Sequence, residues 1–163
     1  MAIAPVPEIL QPQWFFPLFV SMWLGITGLL SYIGGWASLA SAFPAHDEVI
    51  GERFSFRSGS LGWRYFPVRY GNCLFVTVGR EGFRLSILFP FRFLSPPIFV
   101  PWAKVVSVEE KRLFFLSYSV LSIRDHWSRI SVRGAPGRSL KAHFEEYHAG
   151  GRSTKSLERT REE

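Results

Sequence analysis

The sequence of 163 residues contains a single cysteine, Cys73, and no lysine or arginine before Arg53. One cysteine excludes an internal disulfide framework and a zinc site built on cysteine thiolates. Its place in CLFVTV predicts a small buried side chain, and a lone cysteine fits a reducing compartment. All 19 basic residues lie from Arg53 onward. This one-sided distribution is typical of a membrane-anchored protein rather than of a nucleic-acid groove, so we expect no nucleic-acid partner.

Charged residues are absent from residues 9–45. The centre of this stretch, WFFPLFVSMWLGITGLLSYIGGW, is long enough for one transmembrane helix, because about 20 residues at a rise of 1.5 Å cover a hydrocarbon core of about 30 Å. We predict a span from Trp14 to Ile33, with Pro17 in its first turn. The Gly34-Gly35 pair then loosens the helix, and WASLASAF predicts a short interfacial helix that ends at Pro44.

A secretory signal peptide is the competing interpretation, since ASA before Phe43 resembles a small-residue cleavage site. Against it stand the missing basic n-region and an apolar stretch much longer than an h-region. The sequence therefore favours a retained anchor. The positive-inside rule then predicts that the N-terminus lies outside and that the C-terminal part is cytoplasmic.

The predicted span contains no His, Asp, Glu, Lys or Arg. It therefore offers no proton relay, no ion pathway and no histidine for haem or chlorophyll, and we expect no cofactor. The small residues Ser21, Gly25, Gly28 and Ser31 would let another helix approach closely. Aromatic side chains suited to the interface are the predicted contacts with lipid or a partner subunit: Trp14, Trp23, Tyr32 and Trp36.

After Pro44 the apolar pattern changes to a period of two residues, which predicts antiparallel strands. The clearest hairpin joins CLFVTV to FRLSIL through GREG. RFSFRSG and WRYFPVRY predict another hairpin around SGSLG, IFVPWAKVVSVEE is followed by a turn at EEKR, and LFFLSYSVLSIRD and SRISVRG predict two more strands. In SRISVRG, Ile130 and Val132 should face inward. Six or seven strands of this spacing predict a β-barrel or sandwich.

The segment RSLKAHFEEYH predicts a C-terminal helix with Leu140, Phe144 and Tyr147 on one face. The predicted organisation is an extracytoplasmic segment 1–13, a transmembrane helix plus interfacial helix 14–43, a β-domain 46–137, a C-terminal helix 138–149 and a polar tail 150–163.

The hairpin VTVGREGFRLSILF and the later strand PPIFVPWAKVVSVE resemble bacterial single-span membrane proteins with a cytoplasmic PH-like or GRAM-like β-domain. In such domains a strand ending in an L.LS pattern precedes a strand with an IPW pattern, here FVPWAKVVSV. The resemblance covers residues 52–148. It implies a PH-like barrel with a C-terminal helix, a location in the bacterial inner membrane and a binding or scaffolding role. The basic phosphoinositide loop of PH domains is absent, so no specific headgroup follows.

Catalytic and metal-binding patterns are missing from the sequence. The histidines His46, His126, His143 and His148 lack carboxylates or cysteines at metal-ligand spacing. Asp125 precedes His126 at a predicted turn, but no nucleophile accompanies them. We therefore predict a protein without catalytic residues, metal ligands or cofactor.

The stretch GFRLSILFPFRFLSPPIFVPW is nearly as apolar as a span, yet its four prolines and two arginines exclude a second membrane helix. It divides into two strands and a connector, residues 90–97, PFRFLSPP. The apolar side chains of this connector predict one of three environments: the open end of the barrel, the lipid headgroups or a partner protein. The predicted contact residues are Phe91, Arg92, Phe93 and Leu94, with Arg92 snorkelling if lipid surrounds it.

A basic surface is predicted at Arg64 and Arg69 and at Arg129 and Arg133. Beneath an anionic leaflet each arginine adds about 1 kcal/mol of attraction, so Arg129 and Arg133 are the predicted headgroup contacts. These features favour an accessory subunit or adaptor of a larger membrane complex, whose partners are lipids and other integral membrane subunits. The alternative is a module that senses anionic headgroups.

Overall fold

A computed structural model describes residues 12–45, 49–62, 67–113 and 116–162 of the chain. The side chains of residues 12, 90, 93, 113, 116 and 151–162 lie outside this description. The elements are α1 (Pro12–Ile33), α2 (Trp36–Ala42), β1 (Gly51–Gly62), β2 (Pro67–Gly79), β3 (Gly82–Ile87), β4 (Ile98–Pro101), β5 (Val105–Leu113), β6 (Leu116–Ile123), β7 (Arg129–Arg133) and α3 (Ala135–Glu162). Short 3-10 helices cover Phe89–Leu94 and Trp102–Lys104.

All seven strands form one antiparallel sheet in the order β4-β3-β2-β1-β7-β6-β5. Two meanders, β1–β4 and β5–β7, join where β1 pairs with β7 through Gly59↔Val132. The sheet curls into a half-barrel, which confirms the predicted fold class. Its two edge strands, β4 and β5, follow each other in the chain and are linked by the 3-10 helix Trp102–Lys104.

The hairpin around GREG is confirmed, because β2 and β3 pair from Leu74↔Ile87 to Val78↔Phe83. Two other predicted turns are wrong. SGSLG lies inside β1, and the connection to β2 falls in residues 63–66, outside the described residues. EEKR likewise lies inside β5. Serine and charged residues are tolerated at these positions because one face of a curled sheet remains in contact with solvent.

The helix α1 begins at Pro12 rather than Trp14, and ends at Ile33 as predicted. Proline fits the first helical position because its missing N–H has no acceptor there. Pro17 consequently lies inside the helix and not in its first turn. Gly35 then adopts a left-handed conformation with φ of 73°. Residues with a Cβ avoid this region, so glycine permits the sharp turn into α2.

The short helix predicted after Gly35 is present as α2, and one side of it packs into the β-domain. Trp36, Leu39 and Ala40 are buried in the hydrophobic core of the β-domain, with exposures of 1%, 0% and 6%. The chain then runs along the edge of β4, where the Phe99 N–H donates to the Phe43 carbonyl at 3.0 Å. The helix α2 therefore belongs to the β-domain.

The other side of the core is closed by Trp102 and by α3. The Trp102 indole is fully buried, and its Nε1–H donates to the Gly79 carbonyl at 3.0 Å. From α3, Leu140 is fully buried and Phe144 packs at the edge of the core. Tyr147, predicted on the same face, is 43% exposed.

The helix α3 is longer than the predicted range 138–149. It begins at Ala135 because Pro136 is compatible with the first helical turn. It also continues through Gly150-Gly151 to Glu162. Glycine costs about 1 kcal/mol inside a helix, but it ends one only where the backbone turns left-handed, and neither glycine does so.

Candidate membrane-contact site

The helix α1 exposes most of its apolar surface, and between Gln13 and Ile33 it is long and apolar enough to cross a membrane. Trp14 and Tyr32, the aromatic residues predicted near its ends, are 54% and 78% exposed. The other large exposed apolar residues of α1 are Phe15, Phe16, Leu18, Phe19, Met22, Leu24, Ile26, Leu29, Leu30 and Ile33. A surface of this kind is unfavourable in water and requires lipid or another helix around it.

The connector packs against α1 of its own chain. The Phe91 ring meets the Trp23 ring edge-on, with centroids 5.6 Å apart. Leu94 lies over Gly28, where an added Cβ would stand 2.9 Å from the Leu94 Cδ1. Contact with α1 is not among the three environments predicted for the connector. Phe91 and Leu94 are still exposed, by 37% and 43%, so each also faces the surroundings of α1.

Polar contacts fix the connector to the end of α1. The Ser31 hydroxyl donates to the Leu94 carbonyl at 2.7 Å, and the Ser95 hydroxyl donates to Ser31 Oγ at 3.1 Å. Such bonds satisfy backbone carbonyls that an irregular segment leaves without strand partners. Each contributes about 1 kcal/mol net. The sequence predicted that Gly28 and Ser31 would let another helix approach. In the structure both residues contact the connector of their own chain.

Trp36 is not a lipid contact, which corrects the sequence prediction. Its side chain is 1% exposed, and its ring centroid lies 5.6 Å from that of Tyr70. Its Nε1–H donates to the Pro96 carbonyl at 2.8 Å. A tryptophan after a span has both an apolar body and a polar N–H, and here the β-domain satisfies both.

The remaining predicted connector residues have different outcomes. Arg92 is exposed, whereas the side chain of Phe93 lies outside the described part of the chain. Sequence reasoning missed Phe89, whose side chain is 75% exposed. It was assigned to the strand FRLSILF, but β3 ends at Ile87. The signal was the proline that follows Phe89, since proline favours ending a strand.

A cleft of about 320 Å³ separates α1 from the start of β2. Trp23, Ile26 and Leu30 of α1 line one side of it. Arg69, Tyr70 and other residues line the opposite side. Pockets of this volume are in the range that holds small ligands, and this one is formed only because α1 stays beside the β-domain.

The basic residues of β7 face outward as predicted. Arg129 and Arg133 are exposed, and Ile130 and Val132 between them are buried. A second cleft, of about 380 Å³, is lined by Arg133 together with Arg69. No carboxylate is among the described residues that line it. Arg64, predicted on the same surface, lies outside the described residues.

His126 has a structural environment. The Ser128 backbone N–H donates to His126 Nδ1 at 3.1 Å. Nε2 must then carry the proton, and it lies 3.1 Å from Ser38 Oγ of α2. Burial lowers the pKa of His126. Asp125 is exposed and lies in a turn with φ of 60°.

Two further titratable groups lie beside the cleft between α1 and β2. Burial, together with the neighbouring Cys73, raises the pKa of Tyr70 to about 12. Cys73 is half-buried, less than the sequence predicted, and burial raises the pKa of its thiol, which is the direction of an unreactive cysteine. Within the described residues, no group of three or more His, Cys, Asp or Glu side chains is placed to hold a metal ion.

Neither a scan of protein-family models nor a search of curated proteins finds a match to this chain. The proposed function therefore rests on the geometry of α1, the connector and the two clefts.

Proposed function

We propose that this protein is a non-catalytic, single-pass membrane protein that acts as an accessory subunit or adaptor of a larger complex in the bacterial inner membrane. In this proposal α1 is a retained anchor, the N-terminus lies outside, and the β-domain packs on the cytoplasmic face of the complex. The strand order and the C-terminal helix are compatible with a PH-like or GRAM-like module, which fits a binding role.

The observation that carries this proposal is the coupling of α1 to the β-domain through α2. Cleavage after Ala42, the site a signal peptidase would use, would remove Trp36 and Leu39 from the core. Loss of one buried tryptophan alone costs about 3–5 kcal/mol, a large part of the stability of a small domain. A cleaved chain would be poorly stable, so the packing favours an anchor that stays attached.

The free surface of α1 supports a role in an assembly. Gly25 has no heavy atom within 4 Å of an added Cβ, and Ser21 beside it is exposed. Gly28 and Ser31, by contrast, are covered by the connector. One face of α1 is thus occupied by the chain's own β-domain, and the opposite face is available to a neighbouring helix.

The absence of catalysis is proposed on the environment of His126. Both of its ring nitrogens take part in hydrogen bonds: Nε2 bonds with Ser38 of α2, and Nδ1 accepts from the Ser128 backbone N–H in the same turn. A general base needs one ring nitrogen directed at a substrate, and His126 in this environment offers none.

Purification from the native membrane in a mild detergent, followed by native mass spectrometry, tests the proposal. We expect the chain to elute in a stoichiometric complex with other integral membrane proteins, and Gly25→Leu to weaken that complex. Elution of the wild-type chain alone as a monomer would contradict the subunit role.

A second candidate function, sensing of anionic headgroups, is favoured by the exposure of Arg129 and Arg133 on one face of β7 and of Arg92 on the connector. Hydrogen exchange of the full chain in phosphatidylcholine vesicles, with and without phosphatidylglycerol, distinguishes this role. Headgroup sensing predicts slower exchange around β7 only in the anionic vesicles, and identical exchange in both would exclude it.

A further inference from the structure

The cleft between α1 and β2 changes character along its length. At one end Val68 packs on Gly34, the residue that follows α1; an added Cβ there would lie 3.0 Å from the Val68 Cγ2. Arg69 is next in the chain and lines the cleft. At the other end is Trp23, eleven residues earlier in the helix than Gly34, which corresponds to about 16 Å along the axis. In the proposed membrane location of α1, the arginine lies where the helix leaves the membrane and the tryptophan lies at hydrocarbon depth.

The deeper walls of the cleft are mainly apolar, and the hydroxyls of Thr27 and Ser31 that lie there donate to backbone carbonyls. Ile26 and Leu30 of α1 face Ile87 of β3 and Phe91 of the connector across it. These α1 residues belong to the segment that is apolar enough to cross a membrane. In a bilayer, the molecules present at that depth are lipid acyl chains, and an apolar cavity next to them is filled by the same chemistry.

The shallow end of the cleft continues into a polar one. Arg69, Tyr70 and Gly71 line both the apolar cleft and the second cleft, on whose far side Arg133 lies. The second cleft also contains Ser60 and Ser131, which stand in register on neighbouring strands. No carboxylate is among the described residues that line either cleft. Two guanidinium groups and hydroxyls without a nearby acid favour a phosphate.

We propose that the two clefts together hold a single membrane phospholipid. One acyl chain lies between α1 and β2 along Trp23, Ile26 and Leu30, and the phosphate lies at Arg69 on the side of Arg133. The inference rests on the proposed membrane location of α1, but not on the proposed partner complex. It differs from headgroup sensing because α1 forms one wall of the site, so that the lipid is a resident part of the protein.

The alternative occupants fit less well. A free phosphate ion would leave the apolar walls formed by Ile26, Leu30 and Ile87 unfilled. A transmembrane helix of a partner has a diameter of about 10 Å, and the side of the cleft opposite α1 is already occupied by β2 of the same chain. A single acyl chain is the occupant that is both narrow and apolar.

Native mass spectrometry of the full chain, released from nanodiscs of equimolar phosphatidylcholine and phosphatidylglycerol, tests the proposal. The wild type should retain one phospholipid and prefer phosphatidylglycerol. Arg69→Ala should lower the retained phosphatidylglycerol by about fivefold, since one arginine adds about 1 kcal/mol of attraction. The matched control is Arg112→Ala, which removes the same charge from β5, outside both clefts, and should retain lipid like the wild type.

A second variant tests whether the two clefts hold the lipid, because Gly71 lines both of them. An added Cβ at Gly71 meets no heavy atom within 4 Å, so Gly71→Leu can enter the cleft without disturbing the strand. We expect it to lose both lipids while the melting temperature of the delipidated chain is unchanged. Gly25→Leu places the same side chain on α1, at a residue that does not line the cleft, and should retain lipid.

Equal lipid retention by wild type and Gly71→Leu would overturn the proposal, because it would mean that only surrounding bilayer lipid is carried over. If Arg69→Ala retains as much phosphatidylglycerol as the wild type, the proposed position of the phosphate at Arg69 is refuted. Resistance of the chain to carbonate extraction is measured first with the same preparation. Extraction of the chain by carbonate would contradict the proposed membrane location. If the chain resists extraction but retains no lipid, only the proposed lipid site is contradicted.

Discussion

Tyr70 carries a buried hydroxyl that has no hydrogen-bond partner in the described structure. The phenol is protonated at neutral pH, and burial with the neighbouring Cys73 raises its pKa to about 12. A buried donor without a partner costs about 1–3 kcal/mol. We expect Tyr70→Phe, which keeps the ring contact with Trp36, to raise the free energy of unfolding of the delipidated protein by about 1 kcal/mol. Thermal unfolding in detergent measures it, and a lower melting temperature would contradict the account.

Trp36 tests whether α2 is part of the core. Trp36→Ala should lower the free energy of unfolding by about 3–5 kcal/mol, because it leaves a cavity inside the β-domain. Trp36→Phe keeps most of the volume and loses the bond to the Pro96 carbonyl, and should cost less. Denaturant unfolding measures both variants. Equal, small losses would indicate that Trp36 lies in the membrane interface, as the sequence alone suggested.

His126 makes the stability of the α2 contact depend on pH. Its pKa is lowered in the folded protein from the ordinary value of 6.5 by burial, so the unfolded chain binds the proton at a higher pH. The stabilisation is therefore fully present above the ordinary pKa and is lost as the pH falls from that value through the lowered pKa of the folded protein. Protonation would also place a hydrogen on Nδ1, opposite the Ser128 N–H.

We expect the melting temperature to fall between about pH 7.5 and about pH 5.5, the range in which an ordinary histidine gains its proton. In His126→Gln this part of the pH dependence should disappear, since glutamine does not titrate. His143 and His148 remain in that variant and serve as the internal control. A fall of the same size in His126→Gln would assign the pH dependence to another group.

At the scale of elements, the contact between α1 and the connector depends on the absence of a side chain at Gly28. Gly28→Leu should displace Leu94 and weaken the Ser31 bond to the Leu94 carbonyl. Gly25→Leu is the matched control, because its added side chain meets open space. Hydrogen exchange of residues 89–95 should be faster in Gly28→Leu alone, and equal exchange in both variants would refute the contact.

The local pattern of the strands was readable from the sequence, because alternation within one strand depends only on which side is buried. Phe83, Leu85 and Ile87 of β3 are buried as their period of two predicts. Turn positions were less certain, since serine and glycine in SGSLG also fit a curled strand. The environments of Trp36 and of the connector were predicted incorrectly for one shared reason. An apolar sequence specifies burial, but whether lipid or the chain's own core provides it depends on tertiary contacts.

At the scale of the whole molecule, α1, α2, the connector and the half-barrel are joined through buried contacts. The bonds of Ser31 to Leu94 and of Trp36 to Pro96 link segments about sixty residues apart in the chain. The β-domain is thus held at a defined position on α1. In the proposed function this fixes which surface faces the bilayer and which faces a partner.

The most direct test of the account is the state of the chain in carbonate-washed native membranes. If α1 is a retained anchor, the chain remains in the membrane pellet and its intact mass still includes α1 and α2. A shortened chain that begins after Ala42 and is recovered in the soluble fraction would contradict it.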